Sequence, residues 1–224
     1  MKKKEYCALG IMSGTSIDGL DFSLIKTDGK SNIKNLINEY YKFSDNFKDS
    51  IKKLIKKVNN IDYKLILKSD ESKKFNEKFT ELLFKQIKLF LYKNSIDIKS
   101  LDVIGIHGNT IIHKPRVGLS FQLGLGEVLS KKLNTIVVSD FRNNDIKQKG
   151  QGAPLVPKFH HARFSEKNKN VMVVNLGGIS NFTLLKGKRQ FFASDIGPGN
   201  KLIDEFCNLK FKIDYDKNGE LSSK

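Results

Sequence analysis

Twice along this chain an apolar strand runs into a polar, glycine-bearing turn and comes back as a second strand. The first instance reads residues 6–11, then Ser13-Gly14-Thr15-Ser16-Ile17-Asp18-Gly19, then residues 20–25 with apolar and polar side chains alternating. The second reads residues 171–176, the turn Gly177-Gly178, and a return around residues 182–185. A period of two puts one side of each strand into a core, and short continuous apolar runs suit buried strands. Between the hairpins the period changes. From Phe75 onward Phe79, Leu82, Leu83, Phe90 and Leu91 fall on one helical face with lysines opposite, and Ser69 or Asp70 caps the start. Leu54 and Ile55 mark an earlier, shorter helix.

The remaining segments keep alternating. Residues 32–43 read as a third strand. Residues 103–106 read as a strand ending in His107-Gly108-Asn109-Thr110, so that His107 and His113 flank a turn. A helix over 127–133 precedes a strand over 135–138 that ends in Ser139-Asp140-Phe141-Arg142. A strand over 191–193 ends at Asp195-Ile196-Gly197-Pro198-Gly199-Asn200, after which a helix carries Leu202, Ile203 and Phe206. Strands alternating with helices define an α/β class. A division near residue 135 gives each half one hairpin: a first domain over 1–135 and a second over 136–224, the latter short for a domain of its own and without a closing element after Asp214.

Composition removes several function classes. A hydrophobic content of 39% supplies a core and excludes wholesale disorder. No run of eighteen apolar residues is present, and the apolar stretch after the basic start is cut by Ser13, Gly14 and Asp18, so neither a membrane span nor an export signal is expected. Two cysteines, Cys7 and Cys207, make no disulfide framework and no metal set, which fits a reduced cytoplasm. The net charge of +16 is almost all lysine scattered along the chain. Arginine and interleaved aromatic–basic patches are scarce, so a solvated lysine surface is expected rather than a nucleic-acid or membrane partner. The positive field also favours an anionic ligand.

The first turn has the ingredients of a phosphate site. Glycines let backbone N–H groups approach an anion, three hydroxyls can donate, and Asp18 or Asp21 can hold Mg²⁺ directly or through water. The same residues also suit an ordinary hairpin turn. Gly177 and Gly178 repeat the pattern, and two such turns facing across a cleft would grip a nucleotide from both sides. Asp195, at a strand end before a rigid Gly-Pro-Gly turn, is placed as a general base or as a helix cap. Arg142 suits an anionic group or a salt bridge to Asp140 or Asp145. His160 and His161 read as packing or surface residues, and the four histidines lack metal-cluster spacing.

Taken together and in this order, these segments resemble the anhydro-N-acetylmuramic acid kinase family. The opening signature is matched by Gly10-Ile11-Met12-Ser13-Gly14-Thr15-Ser16-Ile17-Asp18-Gly19-Leu20-Asp21. The His-Gly-Gln-Thr segment is matched by His107-Gly108-Asn109-Thr110, the Asp-Phe-Arg segment by Asp140-Phe141-Arg142, and the Gly-Gln-Gly-Ala-Pro run by residues 150–157. Asn175-Leu176-Gly177-Gly178 and Asp195-Ile196-Gly197-Pro198-Gly199-Asn200 complete the set. Asn109 stands where the family has Gln, Lys114 where Glu is common, Leu125 where Asp or Asn is usual, and Asn143 and Asn144 where arginines are frequent.

The resemblance implies an actin/Hsp70/sugar-kinase-like (ribonuclease H-like) fold with a complete first domain and an incomplete second. It implies ATP and Mg²⁺ as cofactors and a small-molecule amino sugar as substrate. Ser13, Gly14, Thr15, Ser16, Ile17, Asp18, Gly19 and Leu20 would contact the ATP phosphates, with Gly177 and Gly178 as the second turn. Asp195 would be the catalytic base, and His107, Arg142 and Asn200 would contact the sugar. The family extends past the segment matched by residues 214–224, so a truncated member is expected: a remnant, one half of a split enzyme completed by a C-terminal fragment, or part of a homodimer.

Overall fold

The computed structural model describes residues 5–223; the basic first four residues, read above as no export signal, lie outside the described residues. The chain divides into two compact units, residues 1–153 and 154–224.

The first unit starts with the expected hairpin, β1 (Tyr6–Met12) and β2 (Gly19–Thr27), and continues into β3 (Ile33–Lys42). Three helices follow: α1 (Asp45–Asn60), α2 (Tyr63–Lys68) and α3 (Asp70–Lys93). Then come β4 (Val103–Lys114), β5 (Leu119–Leu123), α4 (Gly126–Leu133), β6 (Val137–Ser139) and α5 (Asn143–Lys147). The sheet order is β3-β2-β1-β4-β5, with β6 also on β4. β1, β2 and β3 form an antiparallel meander; β4 lies parallel to both β1 and β6. This α/β arrangement is the one expected, but the predicted boundary at 135/136 is not where the units part. The reason is β6, which Ile104–Val137 and Ile106–Ser139 pairing ties into the first sheet.

α3 shows why the sequence folds this way. Ser69 caps it, its hydroxyl accepting from the Ser72 N–H at 3.2 Å. Phe79, Leu83, Ile87 and Phe90 are fully buried on one stripe and meet Leu9, Leu20 and Phe22 from the sheet. Each such burial contributes about 1.5–3 kcal/mol. On the same helix Asn76 Oδ1 accepts from the Gly124 N–H at 2.7 Å and Thr80 Oγ1 from the Leu125 N–H at 3.0 Å. These two side chains fix the chain as it enters α4.

The second unit is thinner. α6 (Pro157–Phe164) precedes an antiparallel sheet, β7 (Asn170–Leu176), β8 (Ile179–Lys186) and β9 (Gln190–Pro198), in that order, followed by α7 (Asn200–Phe211). Among the described residues past Asp214 the chain makes a short 3-10 turn over Lys217–Gly219, beside which Asp216 Oδ1 accepts from the Leu221 N–H. On one face of the sheet Met172, Leu184 and Phe192 lie in register across all three strands. Met172 and Phe192 are 58% and 60% exposed, and Leu202, Ile203, Phe206 and Leu209 of α7 are also exposed. With so little apolar burial, the second unit opens more easily than the first. Its β7 and β9 amides are expected to exchange with deuterium about tenfold faster or more than those of β1 and β4. Equal protection in the two sheets contradicts this.

Among the described residues no helix is long and apolar enough to cross a membrane.

Candidate functional site

The expected phosphate turn joins β1 to β2, and its side chains divide between core and solvent. Ser13, Ile17 and Leu20 are buried at 1%, 6% and 1% exposure, whereas Thr15, Ser16 and Asp18 are exposed. The expectation of three donating hydroxyls is therefore corrected: Ser13 faces inward, and only Thr15 and Ser16 present hydroxyls to solvent. Ser16 donates to Asp18 Oδ1 at 2.6 Å. Ile17 has φ +56°, a left-handed conformation that a β-branched residue rarely takes, and its buried side chain holds it there. Gly19 is required by close approach, because a Cβ there would overlap the Tyr41 carbonyl oxygen and the Tyr40 ring of β3.

β4 supplies the floor beside this turn. Sequence reasoning ended its strand at Ile106 and took His107-Gly108 for a turn; in the structure one strand runs to Lys114, and both His107 and His113 lie on it. The register against β1 slips between Ile11–Ile106 and Met12–Gly108, so His107 is the extra residue of a bulge. Gly108 sits at φ +71°, where a Cβ would overlap the Leu123 carbonyl oxygen. Next to it, Asn109 Nδ2 donates to Ser13 Oγ and to the Gly14 carbonyl, both at 3.0 Å.

His107 and Arg142 meet, as the resemblance implied they would at a shared site, but the histidine ring is engaged by the protein. Arg142 Nη2 lies 2.9 Å from His107 Nε2, and an arginine can only donate, so Nε2 accepts. Nδ1 then carries the proton and donates to the Gly108 carbonyl at 2.9 Å. Both ring nitrogens are thus engaged within the protein, and His107 holds the Arg142 guanidinium in place. Arg142 Nη1 donates to the Gly152 carbonyl at 2.8 Å, and Asp145 Oδ2 accepts from the Gly152 N–H at 2.7 Å. The Gly-Gln-Gly segment is thus fastened from two sides. Asn143, where arginine is frequent in the family pattern, bonds both backbone groups of Ser120.

Burial, then the Arg142 charge, holds the His107 pKa below its ordinary value, against the pull of Gly108 and Ser13 backbone groups. A histidine depressed in the folded state binds fewer protons there than in the unfolded chain. Its contribution is complete above the unfolded value of about 6.5 and is lost as pH falls through that value toward the folded one. The thermal midpoint should therefore drop more between about pH 7 and about pH 5 in the wild-type chain than in His107→Gln. Equal slopes contradict it.

Asp21 is pushed up from the ordinary carboxylate range, first by burial and then by the neighbouring Asp18 charge. A cation between the two would relieve that repulsion. Among the described residues no group of three His, Cys, Asp or Glu can hold a metal alone. The pair therefore fits Mg²⁺ arriving with phosphates, a metal that keeps water and takes one or two carboxylates.

In the second unit the Gly177-Gly178 turn is a tight hairpin. Gly199 N–H donates to the Gly178 carbonyl at 3.0 Å and Asn200 N–H to the Gly177 carbonyl at 2.8 Å. Asn200 Nδ2 donates one of its two hydrogens to the Leu176 carbonyl at 3.1 Å. Asp195 does not end its strand as expected. It lies within β9, paired with Asn181, because β9 continues along β8 through Ser180–Gly197 and Ile179–Pro198. Its side chain is exposed, at the same end of the sheet as the turn. His160 packs as read: Nδ1 lies 2.9 Å from Thr183 Oγ1 of β8.

Comparison with known proteins places these motifs in one lineage. The family model for anhydro-N-acetylmuramic acid kinase matches residues 6–224. The anhydro-N-acetylmuramic acid kinase of Zymomonas mobilis is 38% identical over 219 residues, covering 97% of this chain and 60% of that protein. Those of Pelagibacter ubique and Clostridioides difficile are 38% and 37% identical, with 59% and 58% of their lengths covered. The chain thus spans about 60% of the length of the curated relatives it matches. Among solved structures, a Ppx/GppA family member from Aquifex aeolicus aligns with TM-score 0.46 at 12% identity, over 90% of this chain and 54% of that one. The chain belongs to the anhydro-N-acetylmuramic acid kinase family.

Proposed function

We propose that this chain acts in an ATP-dependent kinase that opens 1,6-anhydro-N-acetylmuramic acid with water and phosphorylates O6. The observation that carries the reading is the β1–β2 turn: a strained, core-anchored loop with exposed Thr15, Ser16 and Asp18 at the end of a buried strand. In this reading the turn takes the ATP phosphates through backbone N–H groups and the Thr15 and Ser16 hydroxyls, and Gly177-Gly178 is a second phosphate-binding turn. Asp18 and Asp21 hold Mg²⁺, which when bound neutralises charge on the phosphoryl oxygens. Arg142, held by His107, faces an anionic group of the sugar.

Asp195 takes a proton from a water molecule as the water oxygen bonds to C1. The C1–O6 bond breaks, and O6 bonds to the γ-phosphorus as the bond to ADP breaks. The products are N-acetylmuramic acid 6-phosphate and ADP, and the proton on Asp195 returns to solvent. Such a reaction serves recycling of cell-wall amino sugars, and the two free cysteines suit a reducing cytoplasm.

A second reading has its own support. The bare apolar rows of β7, β9 and α7 suit a covering polypeptide. A complementing C-terminal fragment is the partner this surface fits; a homodimer is the other arrangement the resemblance suggests. Without such a partner the chain would be a non-catalytic remnant.

Incubation with the anhydro-sugar and MgATP in ¹⁸O-water separates the readings. The proposed reaction puts ¹⁸O on C1 and phosphate on O6. Phosphorylated product without ¹⁸O overturns attack by water. MgATP binding without turnover favours the remnant or split-enzyme reading, and absence of both removes the nucleotide assignment.

A further inference from the structure

Asn109 is 1% exposed, yet it carries a polar side chain into the wall behind the β1–β2 turn. Its two Nδ2 hydrogens go to Ser13 Oγ and to the Gly14 carbonyl, each at 3.0 Å. Its Oδ1 is buried without a hydrogen-bond partner. Turning the amide over would set Oδ1 against the Gly14 oxygen, acceptor against acceptor, so these two donors fix the orientation. A buried carbonyl left unpartnered is costly, and stability alone does not explain its retention here.

The consequence lies in the peptide unit it holds. The Gly14 carbonyl also accepts from the Ile17 N–H at 3.2 Å. A trans peptide is planar, with its C=O and N–H directed oppositely. Two donors drawing the Gly14 oxygen toward the protein therefore direct the Thr15 N–H away from it, and Thr15 is exposed. The second turn is held from behind too, but by backbone: Asn200 N–H on the Gly177 oxygen and Gly199 N–H on the Gly178 oxygen. In the first turn a side chain does this work.

We infer that Asn109 is a positioning residue for the phosphate turn: by holding the Gly14 carbonyl inward it aims the Thr15 N–H at an incoming phosphoryl oxygen. The inference rests on the proposal that this turn receives phosphate. Ser13, buried and accepting from Asn109, belongs to the same support and does not contact the ligand through its side chain.

The test is MgADP binding to the full chain, followed by calorimetry and by the Thr15 amide resonance. Asn109→Leu keeps the side-chain shape and removes both donors. It is expected to weaken binding by about tenfold or more, and to abolish the Thr15 amide shift on MgADP addition, with resonances remote from the turn unchanged. Asn109→Gln retains two donors and is expected to stay within about threefold of wild type. Wild-type affinity and an unchanged Thr15 shift in Asn109→Leu overturn the positioning role while leaving the phosphate turn standing. Equal losses in the Gln and Leu variants also overturn it, because the donors then do not decide affinity. If the wild-type chain does not bind MgADP, the phosphate-turn reading and this inference fall together.

Discussion

Phe79→Ala is expected to destabilise the first unit by about 3–5 kcal/mol, the range for removing a buried aromatic ring. Phe79 is fully buried on α3, with ring centroids 6.2 Å from Phe43 and 6.1 Å from Phe47, and Phe47 stacks on Phe75 at 5.8 Å. Removing the ring forfeits its transfer free energy, opens a cavity, and breaks two ring contacts at once. Against a total stability of about 5–15 kcal/mol, that is a large share. Tyr92, on the same helix but 86% exposed, is the internal control, and its alanine variant should stay within about 0.5 kcal/mol. Urea midpoints read from first-unit resonances measure both. A Phe79→Ala cost below about 1 kcal/mol contradicts the central place given to α3.

The largest kinetic effect is expected at Asp195. Asn has nearly the same shape and hydrogen-bonding reach but cannot take a proton from water. In any preparation of this chain that turns over the anhydro-sugar, Asp195→Asn should lower kcat by about 10²–10⁴, the usual share of general-base catalysis. Asp195 is exposed within β9 and does not contribute to the core, so the substitution leaves the fold and MgADP affinity alone. A loss of nucleotide binding equal to the loss of rate would mean a binding role. Full activity in Asp195→Asn would remove it as the base.

Local pattern carried much of the fold. The alternation through residues 20–25 and the stripe Phe79-Leu83-Phe90 are set by side-chain period and burial, and the β2 and α3 elements follow them. Where sequence reasoning went astray, long-range pairing was the cause. Gly108 looks like a turn residue by composition, yet β4 runs through it, because β1 on one side and β5 on the other continue the ladder. Pro198 and Gly197 looked like a turn after a strand end. β9 is an edge strand, where a missing N–H is harmless, and β8 holds it to Pro198. The boundary was misplaced because three residues of β6, too short to show their partner in the sequence, belong to the first sheet.

The site was legible in part for the same reason. Glycine, hydroxyl and carboxylate residues announce a turn able to meet an anion, and their order carries the family resemblance. Which hydroxyls face solvent was not legible, since Ser13 and Thr15 differ only in the side of the turn they occupy. Asn109 was visible as a departure from the expected Gln; its bond to Gly14, 95 residues away in the chain, was not. No local signal reveals that Arg142, 35 residues on, claims the His107 Nε2.

Titrating the ¹⁵N-labelled chain with ADP and Mn²⁺ in place of Mg²⁺ tests the phosphate assignment most directly. Paramagnetic broadening centred on the amides of residues 13–21, reversed by excess MgADP, is the expected result. Saturable binding that leaves those amides sharp and broadens another region of the chain would contradict it.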